Sequence, residues 1–242
     1  MNPRIAILLT NGDTSEFASV FPDDGHKVVQ LLQPLRNGWS FEVVPVKDDI
    51  FPASPDAFDG YVITGSPASV NDGGQPWLER LLAFIRDLNA VRKPLIGLCF
   101  GHQAVAKALG GQVARHAGGW GLGAVPTHWA QSRPWMTPAQ QTINLMAAHN
   151  EQVTTMPEGA VCLGGSDFCA IGSMQIGQHI WTTQFHPEMS LVFMQALLGH
   201  LADKLDQSTL ARAHASLARP TEGPLFGQWM VRFLESRPER KP

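Results

Sequence analysis

The sequence is poor in cysteine, in charged residues and in long apolar runs, and each shortage excludes a class of protein. Its three cysteines show no metal-type spacing. We expect Cys162 and Cys169 to be reduced and buried, as in a cytoplasmic protein. No apolar run reaches transmembrane length, and residues 1–4 lack the apolar core of a signal peptide. The net charge of −3 comes from interspersed acidic and basic residues, which predicts neither a nucleic-acid nor a membrane partner.

The composition that remains is that of a globular α/β protein. At 242 residues and 44% hydrophobic content, the chain is long enough for one large domain. Near-continuous apolar runs alternate with stretches of helical periodicity, which predicts a doubly wound, mostly parallel central sheet flanked by helices. The predicted strands of the first half are Arg4–Thr10, Phe41–Val46 (at an edge, because of Pro45) and Gly60–Thr64, and the predicted helices are Thr14–Phe21, His26–Leu35 and one that begins at Pro76.

The second half of the chain has a different hydrophobic pattern. Short alternating runs fill Gln112–Gln184 and end in a predicted hairpin over Ala170–Gln184. Ser190 should cap a further helix, and two more should follow from Ser208 onward. The last is amphipathic, with Phe226, Trp229, Met230 and Phe233 at helical spacing, a stripe that we expect to pack on the domain rather than on a partner. The predicted division is a domain of residues 1–201 and a C-terminal helical extension of residues 202–242 packed on it.

Cys99 lies where an apolar strand runs directly into a helical stretch. Gly97 and Gly101 flank it at two residues on either side, and residues without a Cβ allow a strand and a helix to approach closely at a sharp turn. The amino end of the helix would favour a thiolate there. A buried structural cysteine is the alternative, but such a residue needs no glycine on both sides. The pattern therefore favours Cys99 as a nucleophile, with the backbone N–H of Phe100 as an oxyanion donor.

A nucleophilic cysteine needs a base and a group that orients the base, and Phe185–Glu188 offers both. His186 and Glu188 are two residues apart, so in an extended segment their side chains point to the same side. Pro187 stiffens the backbone between them. Taken alone, the segment could equally be a surface loop that holds a histidine and an acid.

Together these segments resemble the class I (triad) glutamine amidotransferases, in particular the stand-alone members that resemble the glutaminase domain of GMP synthase. The resemblance rests on Gly97–Gln103, on Phe185–Glu188 and on Gly60–Pro67, which is similar to the oxyanion strand and loop of the family. It spans roughly residues 4–201. It implies a flavodoxin-like sheet, a Cys99–His186–Glu188 triad, and no cofactor or metal.

The resemblance also assigns further residues. It favours the N–H of Ser66 over that of Gly65 as the second oxyanion donor, and it places Gln103 in the substrate pocket, although a first-turn glutamine that faces solvent is nearly as good an interpretation. We expect His102 to be structural. Residues 118–123 would line the pocket, with Gly121 where family members often carry an acid, and residues 149–153 are either a substrate loop or plain surface.

The resemblance implies that Cys99 attacks the γ-amide of glutamine, which releases glutamate, and ammonia for an unknown acceptor or for a synthase subunit that consumes it. A stand-alone γ-glutamyl peptidase or hydrolase that acts on γ-glutamyl compounds is the alternative. A binding module with an idle site is a third possibility, which the presence of all three triad residues disfavours. Related hydrolases place histidine directly after the cysteine, and Phe100 disfavours that group.

Overall fold

The structure is a computed structural model that describes residues 2–236, so the last six residues of the predicted C-terminal extension lie outside the described residues. The strands of the described chain are β1 (Arg4–Leu8), β2 (Ser40–Val44), β3 (Gly60–Ile63), β4 (Leu95–Leu98), β5 (Gln112–Arg115), β6 (Gly121–Trp129), β7 (Thr142–His149), β8 (Glu151–Thr155), β9 (Ala160–Gly165), β10 (Ser173–Ile176) and β11 (Ile180–Thr183). Its α-helices are α1 (Glu16–Ser19), α2 (Asp24–Leu32), α3 (Pro76–Ala90), α4 (Phe100–Ala108), α5 (Leu191–Leu201), α6 (Gln207–Ser216) and α7 (Gly223–Glu235).

A nine-stranded mixed sheet forms the centre of the fold, in the order β2-β1-β3-β4-β11-β10-β9-β6-β7. The neighbours from β2 to β11 are parallel, and the pairings from β11 to β7 are antiparallel. Only β10 and β6 of this sheet therefore run against the common direction. The predicted mostly parallel sheet flanked by helices is confirmed. A separate two-stranded sheet pairs β5 with β8.

The sequence-predicted elements are correct in kind and inexact at their ends, and proline explains two of the differences. The second strand lies at the sheet edge as predicted but stops at Val44, because Pro45 has no N–H to continue the ladder. The second helix gives way after Leu32 to a 3₁₀ turn, since Pro34 cannot donate in an α-helix. The first helix covers only Glu16–Ser19 of the stretch predicted for it.

Apolar side chains cover both faces of the parallel half, as its continuous hydrophobic runs require. One face packs under α3 and α4. The other packs under α2 and α7, and here the predicted stripe of the last helix is buried in the core cluster of that face: Phe226, Trp229, Met230 and Phe233 are each at most 1% exposed. The division at residue 201 remains a prediction. Within residues 2–236, no helix has the length and apolar character needed to cross a membrane.

Candidate active site

Cys99 occupies a sharp turn between β4 and α4 in a backbone conformation that few residues adopt. Its φ of 48° and ψ of −100° are strained for a residue with a Cβ. Its N–H donates to the carbonyl of Thr183 at 2.8 Å. A Cβ on Gly97 would lie 2.6 Å from the carbonyl oxygen of Gly101, and one on Gly101 would lie 2.6 Å from that of Ile63. The two flanking glycines therefore permit the close strand–helix contact that was predicted from their spacing.

The register of three adjacent strands brings the segments of the candidate site together. Ile63 of β3 is paired with Gly97 of β4, and Leu98 of β4 is paired with Thr183 of β11. One or two residues further along each strand, Gly65, Cys99 and Gln184 consequently lie side by side at the carboxyl edge of the sheet. This edge is where ligands bind in open α/β sheets.

His186 and Glu188 lie beside Cys99 as a buried pair. The Nδ1–H of His186 donates to Oε1 of Glu188 at 2.7 Å, and both side chains are almost completely buried. The backbone N–H of His186 donates to the carbonyl of Met146 at 2.8 Å, which ties the segment to β7. The other ring nitrogen of His186, Nε2, is buried and makes no hydrogen bond within residues 2–236.

Gly65 shows how near His186 and Cys99 approach each other. A Cβ built on Gly65 would lie 2.8 Å from Cε1 of His186 and 3.7 Å from Cβ of Cys99. The imidazole and the cysteine therefore border the same small space at the end of β3. The structure brings together the three residues that were predicted to form the triad.

The electrostatics of this site favour a charged imidazole at His186. Burial alone lowers the pKa of His186, but the charges of Cys99 and Glu188 outweigh burial and raise that pKa well above 6.5. His149 near the ring behaves differently: burial lowers its pKa to about 4, so it is neutral at physiological pH. The arrangement can hold a thiolate–imidazolium pair away from water.

The loop after β3 holds its peptide groups in a fixed orientation. The carbonyl of Gly65 accepts hydrogen bonds from the hydroxyls of Thr10 at 2.9 Å and Thr64 at 3.1 Å. The N–H of Ser66 belongs to the same planar peptide unit and so points away from these hydroxyls. Among the described residues, neither this N–H nor that of Phe100 donates to another group. Both predicted oxyanion donors are therefore available, and the Ser66 hydroxyl is used locally, donating to the carbonyl of Thr10 at 3.0 Å.

Gln103 is buried, so the interpretation of it as a solvent-facing helix residue is wrong. Its Nε2 donates to the carbonyl of Glu151 at 2.8 Å and to Oε1 of Gln184 at 3.1 Å. Nε2 of Gln184 in turn donates to the sulfur of Cys99 at 3.4 Å. Sequence reasoning missed Gln184, although its position directly after β11 and two residues before His186 was a usable signal. Direct contact of Gln103 with a substrate remains a prediction.

The strand that starts at Gly121 lies next to the site without an acidic side chain. A Cβ on Gly121 would lie 2.8 Å from the ring of Phe168 and 3.0 Å from Nε2 of His149, so these two rings fill the space beside it. His149 is 4% exposed, which rules out the interpretation of its segment as plain surface. Its Nδ1–H donates to the carbonyl of Glu151 at 3.1 Å.

The remaining candidate side chains have structural surroundings. His102 is fully buried, with Nδ1 2.7 Å from the hydroxyl of Thr182 and Nε2 3.1 Å from the carbonyl of Ile171, as expected for a structural histidine. Cys162 and Cys169 are free thiols, and Cys169 is buried as predicted, but the prediction that Cys162 is buried is wrong, because its side chain is partly exposed. Burial raises the pKa of Cys169 to about 12, so it stays protonated. Over residues 2–236, no group of three or more His, Cys, Asp and Glu side chains is placed to hold a metal ion.

The fold and the residues at its edge define a class of protein. The sequence profile described as glutamine amidotransferase class-I matches residues 25–198, and the chain belongs to this family. Its members are typically cysteine-dependent hydrolases or amidotransferases.

Particular relatives differ in how much of the chain they match. The chain is 26% identical to γ-glutamyl peptidase 5 of Arabidopsis thaliana, over 98% of this chain and 97% of the peptidase. It is 35% identical to a glutamine-hydrolyzing GMP synthase subunit of Methanoculleus marisnigri, over 49% of this chain and 64% of that one. The crystal structure of a glutamine amidotransferase of Methylobacillus flagellatus superposes with a TM-score of 0.75 at 24% identity, covering 97% of this chain and 93% of that one. This last similarity concerns the fold.

Proposed function

We propose that this protein is a cysteine hydrolase that cleaves the γ-amide bond of a γ-glutamyl compound through a thioester on Cys99. Glutamine is the first candidate substrate, with ammonia and glutamate as products. The observation that carries the proposal is the buried His186–Glu188 pair, with a 2.7 Å hydrogen bond, next to a cysteine held at a strained strand–helix turn. Nucleophile, base and orienting acid are the three parts that covalent catalysis of acyl transfer needs.

The first half of the reaction forms the thioester. The Cys99 thiolate attacks the γ-carbonyl carbon, and the negative charge that develops on the carbonyl oxygen is stabilised by the N–H groups of Phe100 and Ser66. The imidazolium of His186 then gives its Nε2 proton to the amide nitrogen. The carbon–nitrogen bond breaks, and ammonia leaves from glutamine, or an amine from a γ-glutamyl peptide.

The second half returns the enzyme to its starting state. Nε2 of His186 takes a proton from water, and the hydroxyl attacks the thioester carbon. The carbon–sulfur bond breaks, which releases glutamate and restores the Cys99 thiolate beside a protonated imidazole. Glu188 keeps the Nδ1–H in place and stabilises the imidazolium without taking the proton.

A γ-glutamyl peptidase or hydrolase is the second candidate, and one observation favours it. The alignment with γ-glutamyl peptidase 5 extends over 98% of the chain, through α6 and α7, whereas that with the GMP synthase subunit extends over 49%. The chemistry at Cys99 is the same for both candidates, and only the leaving group differs. Under the first candidate, we propose an ammonia-consuming synthase as the partner. We also propose a cytoplasmic location, which the three free thiols support.

A screen for glutamate release tests the proposal and separates the two candidates. Purified protein is incubated with glutamine or with γ-glutamyl dipeptides, and glutamate and ammonia are measured separately. Cys99→Ala should abolish release, while Cys162→Ala, which removes a partly exposed thiol, should leave it unchanged. Ammonia in step with glutamate supports the glutaminase, and glutamate from dipeptides alone supports the peptidase. Release that persists in Cys99→Ala, or no release from any compound, would contradict both.

A further inference from the structure

The side chain of Gln184 touches the sulfur of Cys99, and no step of the reaction above uses it. The pairing of Leu98 with Thr183 places the next residues of the two strands, Cys99 and Gln184, beside each other. Gln184 is completely buried, and its Nε2 lies 3.4 Å from Sγ of Cys99. Its backbone N–H is fixed separately, by the carbonyl of Gly172 at 2.8 Å.

A chain of hydrogen bonds determines which end of the Gln184 amide meets the sulfur. The backbone carbonyl of Glu151 can only accept, so the group of Gln103 that faces it at 2.8 Å must be its amide nitrogen. The same nitrogen has a second hydrogen, which it donates to Gln184 at 3.1 Å. The Gln184 atom that accepts this hydrogen must be its oxygen, and its NH₂ group is therefore turned to Cys99.

The sulfur of Cys99 contacts two groups that favour different protonation states of the sulfur. The carbonyl of Ala148, 3.9 Å away, can accept a hydrogen from the neutral thiol. The Gln184 amide can only donate to the sulfur, and a donated hydrogen bond is stronger when the acceptor is charged. The Gln184 contact therefore favours the thiolate over the thiol.

We propose that Gln184 is a hydrogen-bond donor that stabilises and aims the reacting sulfur of Cys99, and that Gln103 is a positioning residue that acts through Gln184. The proposal rests on the proposed function only in naming Cys99 as the nucleophile. It gives Gln103 a role that does not require contact with substrate. It also predicts that replacing both glutamines has the same effect on Cys99 as replacing Gln184 alone.

Other titratable groups near Cys99 also influence the charge on its sulfur. His186 interacts with it by charge, with Glu188 behind the ring. His149 interacts with His186, and the thiol of Cys169 interacts with that of Cys99. None of these groups is altered in the variants described next, so a change in the titration of Cys99 is attributable to the glutamines.

Alkylation of Cys99 tests the proposal without a substrate. The full chain is treated with iodoacetamide over a range of pH, and the modified Cys99 peptide is quantified by mass spectrometry for wild type, Gln184→Met, Gln103→Met and the double variant. Gln175→Met is the matched control, because Gln175 is also buried and hydrogen-bonded but lies against Arg133 and Gly177. Glutamate release is measured in parallel, so that failure of the proposed function shows separately.

In Gln184→Met, the midpoint of the pH dependence of alkylation should rise by about 1 pH unit, the size expected for loss of one hydrogen bond to a charged group. Gln103→Met should raise it by less, and the double variant should match Gln184→Met because the two changes break one chain. The Gln175→Met midpoint should equal that of wild type. An unchanged midpoint in Gln184→Met, or additive shifts in the double variant, would overturn the proposal.

A measurement on the wild-type protein covers the case in which a glutamine variant does not fold. The side-chain amide resonances of Gln184 should shift with pH at the same midpoint as the alkylation of Cys99, because the amide donates to the titrating sulfur. Resonances that do not titrate, or that titrate at a different midpoint, would overturn the proposal even if the enzyme releases glutamate.

Discussion

Gly65 and His186 are in such close contact that residue 65 has no room for a side chain: a Cβ there would lie 2.8 Å from Cε1 of the imidazole. Real Cβ atoms do not approach carbon this closely, so Gly65→Ala must move the ring of His186 or the loop that carries Ser66. A displacement near 1 Å costs about 10²-fold in rate. We therefore expect Gly65→Ala to lower kcat/KM for glutamate release about 10²-fold.

Gly73→Ala is the matched control for this variant. It lies in the same loop with nothing within 4 Å of a Cβ and without a positive φ, and it should keep wild-type kcat/KM. If Gly65→Ala also retained wild-type kcat/KM, the assigned position of His186 against the loop would be incorrect.

The His186–Glu188 pair should make stability depend on pH in a defined direction. The pKa of His186 is raised above 6.5 in the folded protein by Cys99 and Glu188 against the effect of burial. The resulting contribution to the free energy of unfolding is fully present below pH 6.5 and is lost as the pH rises through the folded-state pKa. Glu188→Gln removes one of the two charges, so its deficit in stability against wild type should be largest below pH 6.5 and should shrink at alkaline pH.

Urea unfolding of wild type and Glu188→Gln across this pH range measures the deficit. Glu79→Gln, a change at an exposed carboxylate of α3, should show no deficit at any pH. A deficit in Glu188→Gln that is constant with pH, or that grows at alkaline pH, would mean that Glu188 does not stabilise the imidazolium.

His102 should contribute to destabilisation by acid. Burial lowers its pKa to about 3 from 6.5, so below pH 6.5 the unfolded chain binds a proton that the folded protein does not. Stability from this residue is present above pH 6.5 and falls by about 1.4 kcal/mol per pH unit between pH 6.5 and 3.

His102→Gln should flatten the slope of unfolding free energy against pH by that amount, at the cost of lower stability near neutrality. His149 and His179, whose burial lowers the pKa of each to about 4, should retain their own acid dependence in this variant. A slope equal to that of wild type would show that His102 does not titrate between the folded and unfolded states as its burial requires.

Phe226 tests whether the C-terminal helices belong to the core. Its ring is completely buried, with centroids 4.7 Å from Trp181 and 5.9 Å from Trp129. Phe226→Ala should lower the free energy of unfolding by about 3–5 kcal/mol. Val192→Ala, at a residue 65% exposed, should change it by less than about 0.5 kcal/mol.

A chain that ends at Leu201 loses Phe226, Trp229, Met230 and Phe233 together. We expect it to unfold or aggregate, since these side chains cover one face of the parallel strands. Cooperative unfolding of such a chain with near-native stability would show instead that residues 202–242 are an independent addition.

The parts of the fold that were predictable are those that local chemistry determines. Glycine on both sides of Cys99, the apolar runs of β1, β3 and β4, and the proline that begins α3 each specify their structure within a few residues. The hairpin of β10 and β11 followed from the short alternating runs that end in Ala170–Gln184. The ends of α2 and β2 differed because a single proline outweighed an otherwise good pattern.

Other parts depend on pairings between distant segments, which periodicity does not encode. Gln184 meets Cys99 because β11 inserts beside β4, and the order of strands in the sheet is not apparent from either strand alone. The burial of Gln103 follows likewise from its contacts with Glu151 and Gln184. The sequence shows that Gly121 replaces an acid of the family, but the rings of Phe168 and His149 that fill its surroundings come from two other parts of the chain.

The central claim is that Cys99 carries the γ-glutamyl group during turnover, and trapping that intermediate tests it most directly. The protein is mixed with whichever substrate releases glutamate, quenched in acid within one turnover, and digested for peptide mapping by mass spectrometry. We predict a γ-glutamyl adduct on the peptide that contains Cys99, and no adduct in Cys99→Ala. In a His186→Ala variant, the rate at which the adduct accumulates should be limited by the rate at which that variant forms the thioester. An adduct on Cys162 or Cys169, or full turnover with no adduct on any cysteine, would contradict the account.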